Sequence, residues 1–148
     1  MGEIIVFDGA AGAGKSTLMR DVGERLRQSK AIDVDDFLNR RQGTFVSAIR
    51  FEDLRQTVFK AIHEGSPVLV ASVCARDVIK RIGVVKAIYV YVRTDDDDHS
   101  AEALAEKFGE IESDQPFHRE VEEYHRDYKP RQTADLVYIR KAITSETK

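Results

Sequence analysis

The chain alternates between two hydrophobic patterns. Ile4 to Phe7 is a short, continuous apolar run, as expected of a strand buried on both faces. Leu18, Val22 and Leu26 then recur at helical spacing, which predicts a helix from about Lys15 to Gln28. A brief second strand, Ala31 to Val34, runs into Asp35-Asp36-Phe37. Residues 39–49 show little apolar period and read as a connector. Phe51, Leu54, Val58 and Ile62 mark the next helix, closed by Gly65-Ser66-Pro67. Val68 to Val73 predicts a third strand, Cys74 to Ile82 a short helix, and Ala87 to Val92 a fourth strand rich in β-branched and aromatic residues. Ala101, Leu104, Ala105 and Phe108 suggest a helix. Phe117, Val121, Tyr124 and Tyr128 suggest another, which Pro130 stops. Leu136 to Ile139 is the fifth strand.

Strands alternating with helices predict an α/β domain: a parallel sheet with helices on both faces. The 148 residues fit one domain spanning 1–148, with no internal repeat or linker. Apolar residues make up 42% and charged residues 33%, and the net charge is −3. That balance argues against a large basic face, so no nucleic acid is expected. No apolar run approaches the length that spans a membrane. The first residues lack the basic start of a signal peptide, and the single cysteine, Cys74, excludes an internal disulfide. Both fit a cytoplasmic protein.

Between the first strand and the first helix lies GAAGAGKST, residues 9–17. Gly9-x-x-x-x-Gly14-Lys15-Ser16 fits the P-loop pattern, in the strand-to-helix setting that pattern requires. Small residues let the backbone curl and turn N–H groups inward, and the helix points its positive end at the same spot. Gly9, Ala10, Ala11, Gly12, Ala13, Gly14, Lys15, Ser16 and Thr17 are therefore expected to hold ATP. Lys15 reaches the outer phosphates and the Ser16 hydroxyl meets Mg²⁺.

A switch or a motor fits less well than a kinase. The [NT]-K-x-D guanine motif is missing, and the third strand carries Ala71 and Ser72 where a motor would place an acid. Phosphoryl transfer to a small molecule needs a carboxylate near the acceptor hydroxyl, at the carboxyl edge of the sheet. Asp35 and Asp36 sit there, one as base and the other free to assist Mg²⁺; which does which stays open. Phe37, with Phe45 and Phe51, could stack on an acceptor ring. Arg76 follows the third strand and Arg93 ends the fourth, so either could hold the acceptor. Arg119 and Arg126, seven apart on one helical face, are candidate lid arginines. The four histidines form no zinc pattern, and Cys74 reads as a packing residue.

GAAGAGKST, then VDDF, then YHRDYKPRQTADLVYI resemble P-loop kinases of the nucleoside/nucleotide-kinase group, uridine-kinase-like proteins above all. The likeness touches both ends of the chain. It implies a three-layer P-loop fold with five parallel strands in the order 2-3-1-4-5. It also implies Asp35 as base, in the first position of Asp-x-Phe. The sequence departs from the group in two places: VLVASV has no acid, and the segment after the fourth strand, RTDDDDHSAEALAEKFGE, is more acidic than basic. The expected activity is ATP-dependent phosphoryl transfer to a hydroxyl of a small molecule, a nucleoside among the candidates. The alternative is a nucleotide-binding module with little turnover that acts through a partner.

Overall fold

The computed structural model describes residues 3–10, 12–39, 45–94 and 115–140. The expected helix over Ala101–Phe108 and the acidic run Asp95–Asp98 lie outside them.

Five strands form one sheet: β1 (Ile4–Asp8), β2 (Lys30–Asp33), β3 (Val68–Ala71), β4 (Ile88–Thr94) and β5 (Leu136–Arg140). Their order is β2-β3-β1-β4-β5, and every pair is parallel, as expected. Five helices accompany them among the described residues: α1 (Lys15–Arg25), α2 (Phe51–His63), α3 (Ala75–Arg81), α4 (Gln115–Tyr128) and the short α5 (Pro130–Thr133).

The strand period divides the core in two. Val68 and Val70 face one way, with Ile4, Val6 and Ile32, and pack under Leu54 and Val58 of α2, Val78 and Ile79 of α3, and Val121 and Tyr124 of α4. Leu69 and Ala71 face the other way, with Phe7, Val90 and Val92, and meet Leu18, Met19 and Val22 of α1. Both faces of β1 and β3 are therefore covered, which is why those strands read as continuous apolar runs.

Several boundaries differ from the sequence expectation. The first helix ends at Arg25, because Leu26 is already extended. β3 stops at Ala71, and Cys74 turns the chain with a φ of 52°. β2 stops at Asp33, and Val34–Phe37 form a 3-10 turn capped by the Asp33 carboxylate. Pro130 does end α4, but it also opens α5 after Lys129 adopts a φ of 47°.

The connector between β2 and α2 is better anchored than its weak period suggests. Its ends zip together: Asn39 N–H donates to the Ala48 carbonyl at 2.7 Å, and Arg50 N–H to the Phe37 carbonyl at 2.7 Å. Phe45, Val46, Ala48 and Ile49 are buried. Glu120 of α4 accepts from the N–H groups of Phe45 and Val46 at 2.7 and 3.0 Å, a contact across 75 residues that no local pattern announces.

Candidate active site

The glycine loop leaves β1 and enters α1. Gly9 has a φ of 148°, and a Cβ there would strike the carbonyl of Val92 in β4. Gly14 has a φ of 99°, in the left-handed region, and no side chain caps the α1 N-terminus. The Lys15 ammonium folds back onto the Ala10 carbonyl at 2.8 Å. Burial lowers the pKa of Lys15 below its usual value, opposed by the charges of Asp8, Asp35 and Asp33. Ala11 lies outside the described residues.

The Ser16 hydroxyl donates to Asp33 Oδ2 at 2.8 Å, and Asp33 Oδ1 accepts from the Asp35 N–H at 3.0 Å. Asp33 thus links the loop to the turn that carries Asp35. In register it stands beside Ala71, the position where the third strand lacks an acid. The acid comes from β2 instead. A hydroxyl and a carboxylate form an all-oxygen donor pair, which suits a hard divalent cation such as Mg²⁺. Together with the uncapped helix end, the pair fits a Mg²⁺-bound phosphate chain.

Lys15, Ser16, Thr17, Asp33 and Asp35 line one cavity of about 400 Å³ at the carboxyl edge of the sheet, with Gly12, Gly14 and Arg140. Ala71, Ser72 and Val73 form its floor, and Phe45 and Phe117 form an aromatic wall, their centroids 6.3 Å apart. Asp35 is exposed at the cavity mouth, and partial desolvation raises its pKa, followed by the neighbouring Asp33 charge. Lys15 pulls it down and Asp36 adds a smaller push upward. A larger hollow of about 670 Å³ lies against α1, lined by apolar residues such as Ile5, Leu18, Val90 and Leu136. It contains none of the loop residues.

Beneath the loop sits Asp8, the last residue of β1, almost fully buried. Its carboxylate accepts from the Gly9 N–H at 2.8 Å, the Tyr124 hydroxyl at 2.5 Å and the Ala75 N–H at 3.5 Å. Burial raises its pKa, with these bonds opposing. Tyr124 in turn accepts from the Arg76 N–H at 2.9 Å. The neighbouring His125 meets the Tyr91 hydroxyl at 2.8 Å. α4 is thereby fixed to β1, α3 and β4 at once.

The other expected site residues fall elsewhere. Asp36 is exposed, and its carbonyl accepts from Arg50. Phe37 packs against the core, with the Arg50 guanidinium 5.8 Å from its ring. Arg76 turns away from the cavity: it lies 4.0 Å over the Tyr89 ring and donates to the Thr133 carbonyl at 2.7 Å. Arg119 and Arg126 are exposed, Arg126 beside Asp127 at 3.6 Å, and neither lines the cavity. Burial pushes the Cys74 thiol well above its usual pKa, so it is a packing residue and no nucleophile. Among the described residues no three or more histidine, cysteine, aspartate or glutamate side chains are grouped so as to hold a metal between them. No described helix is long and apolar enough to cross a membrane. The sequence reading missed Asp8, Asp33, Phe117, Tyr124 and Arg140. For three of them a signal existed: Asp8, Asp33 and Arg140 each end an apolar strand at the edge where such sheets bind ligands.

No protein-family model matches the chain, and no curated protein matches it in sequence. Solved structures do match in shape. A possible uridine kinase from Bacillus stearothermophilus superposes with a TM-score of 0.59 at 15% identity, over 93% of this chain and 89% of that one. A sugar kinase from Janibacter sp. HTCC2649 gives 0.58 at 12% identity, over 95% and 86%. Shikimate kinase from Acinetobacter baumannii gives 0.50 at 16% identity, over 99% and 86%. These proteins act on different acceptors, so what they share with this chain is the architecture. With its strand order and its glycine loop between β1 and α1, the chain has the fold of the P-loop kinases.

Proposed function

We propose that the protein transfers the γ-phosphoryl group of ATP to a hydroxyl of a small molecule. The observation that carries this reading is one cavity bordered by the glycine loop with Lys15, by the Ser16–Asp33 pair and by Asp35. The loop N–H groups, the α1 N-terminus and Lys15 hold the phosphates. Ser16 and Asp33 are the residues that would hold Mg²⁺, which supplies charge neutralisation on the transferring group. Asp35 accepts the proton of the attacking hydroxyl. A bond forms between that oxygen and the γ-phosphorus, the bond to the β,γ-bridging oxygen breaks, and ADP leaves. The raised pKa of Asp35 makes it a stronger proton acceptor than an ordinary aspartate.

The wall of Phe45 and Phe117 in the same cavity as the carboxylates suits an acceptor with a flat or apolar face, and a nucleoside has both that face and hydroxyls. A reducing, cytoplasmic setting agrees with the single buried cysteine.

ATP consumption measured over nucleosides, nucleotides, sugars and cofactor precursors identifies the acceptor. With it, Asp35→Asn should lower turnover about 10²–10⁴-fold, the range of general-base contributions, and leave ATP affinity intact. Normal turnover in Asp35→Asn would refute the base. ATP binding without turnover on any acceptor would favour the alternative, a nucleotide-binding module that acts through a partner.

A further inference from the structure

Arg140 closes β5, paired in register with Thr94 of β4. Its side chain leaves the sheet edge and lies against Gly14, at the joint between the glycine loop and α1. A Cβ at Gly14 would strike Nη1, with Cδ at 3.0 Å and Cζ at 3.4 Å. Arg140 also lines the cavity that holds Lys15, Ser16 and Thr17.

Positive groups crowd this corner of the cavity. The α1 N-terminus carries partial positive charge, no side chain caps it, and the Lys15 ammonium stands beside it. Among the described residues Arg140 forms no ion pair. Of the two carboxylates that line the cavity, Asp33 holds Ser16 and the Asp35 N–H, and among the described residues neither Asp33 nor Asp35 forms an ion pair with Arg140. Three positive groups therefore converge on a loop whose backbone fits phosphate. The two candidate lid arginines, Arg119 and Arg126, are exposed and do not line the cavity.

We propose that Arg140 is a phosphate-binding residue of the nucleotide site, a guanidinium supplied by the last strand of the sheet. The inference rests on the nucleotide-binding part of the proposed function. In P-loop sites the loop backbone cradles the α- and β-phosphates while the lysine reaches β and γ. A guanidinium against Gly14 therefore serves the α/β end, which ADP and ATP share. Its planar fork can grip two phosphate oxygens at once, which a lysine cannot.

Calorimetry with ATP-Mg²⁺ and ADP-Mg²⁺ tests this on the full chain, comparing wild type with Arg140→Gln and Arg140→Lys. Arg140→Gln should weaken both nucleotides by the same factor, roughly tenfold or more, as expected for loss of a charge-assisted contact. Arg140→Lys should regain part of that loss. Wild-type affinity should fall more steeply than that of Arg140→Gln between 50 and 200 mM KCl, because one ionic contact is missing in the variant. The melting temperature should hold, since β5 pairs through its backbone. Wild type and Arg140→Gln binding both nucleotides within twofold of each other would overturn the proposal. A loss confined to ATP, or a lower melting temperature in both variants accompanying the loss, would also overturn it. A wild-type chain that binds neither nucleotide would instead refute the nucleotide site itself, a distinguishable failure.

Discussion

Asp33→Asn separates a structural carboxylate from a functional one. Both oxygens of Asp33 are engaged, Oδ2 by the Ser16 hydroxyl at 2.8 Å and Oδ1 by the Asp35 N–H at 3.0 Å. An amide keeps its oxygen for the Asp35 N–H and turns its NH2 toward the Ser16 hydroxyl, which then accepts, so two charge-assisted bonds become neutral ones. Hydrogen bonds to charged groups contribute about 1.5–3 kcal/mol and neutral ones about 0.5–1.5, with partial exposure reducing the difference. The expected destabilisation is therefore about 1 kcal/mol, a fall of about 2–4 °C in melting temperature for a domain of this size. The effect on Mg²⁺ should be larger. A carboxylate that orients a metal-binding hydroxyl contributes about 10–100-fold to metal affinity, and Asp33→Asn also removes its charge. Two measurements settle the matter: a thermal melt without Mg²⁺, and the Mg²⁺ concentration that half-saturates ATP binding. A melting shift of a few degrees with a Mg²⁺ requirement raised at least tenfold is expected. An unchanged Mg²⁺ requirement would show that Asp33 only shapes the turn, and the metal-holding role would be refuted.

Asp36→Asn should move the acid limb of the turnover profile to lower pH. Asp35 stays protonated to higher pH than an ordinary aspartate, partly because of the Asp36 charge, so removing that charge frees the base earlier. A limb that stays in place would refute the coupling. Tyr124→Phe should destabilise the protein by about 1–3 kcal/mol, because it takes one donor from the buried Asp8 carboxylate and the acceptor from the Arg76 N–H. An unchanged thermal melt would refute this account of how α4 is held.

What the sequence revealed was what contiguous patterns encode. The apolar runs of β1, β3 and β4, the glycine loop and the α/β alternation all follow from neighbouring residues. Periodicity, however, ends a strand at its last apolar residue. Asp8, Asp33 and Arg140 each lie one residue past the expected end, or just before it in the case of Asp33, and all three belong to the strands. Moving the end of β2 back from Val34 to Asp33 changes which carboxylate meets Ser16, and no propensity fixes a boundary to one residue. The role of Glu120 was illegible for another reason: its partners, Phe45 and Val46, are distant in sequence. Arg76 was misleading because its placement depends on Tyr89 and Thr133, which come near it only in the fold.

The central position of β1 also governs how the protein is made. The earliest of the five strands in the chain pairs with β3 through Ile4 and Val68 and with β4 through Ile5 and Ile88, never with its sequence neighbour β2. A nascent chain that displays the complete glycine loop still lacks both walls that hold it, and Gly9 gains its contact with Val92 only after β4 emerges. Such nonlocal parallel pairing folds slowly, and at about 5–20 residues per second synthesis leaves several seconds between loop and walls. If the proposed site binds a nucleotide, that binding would stabilise only chains in which β1, β3, β4 and, through Arg140, β5 are already assembled.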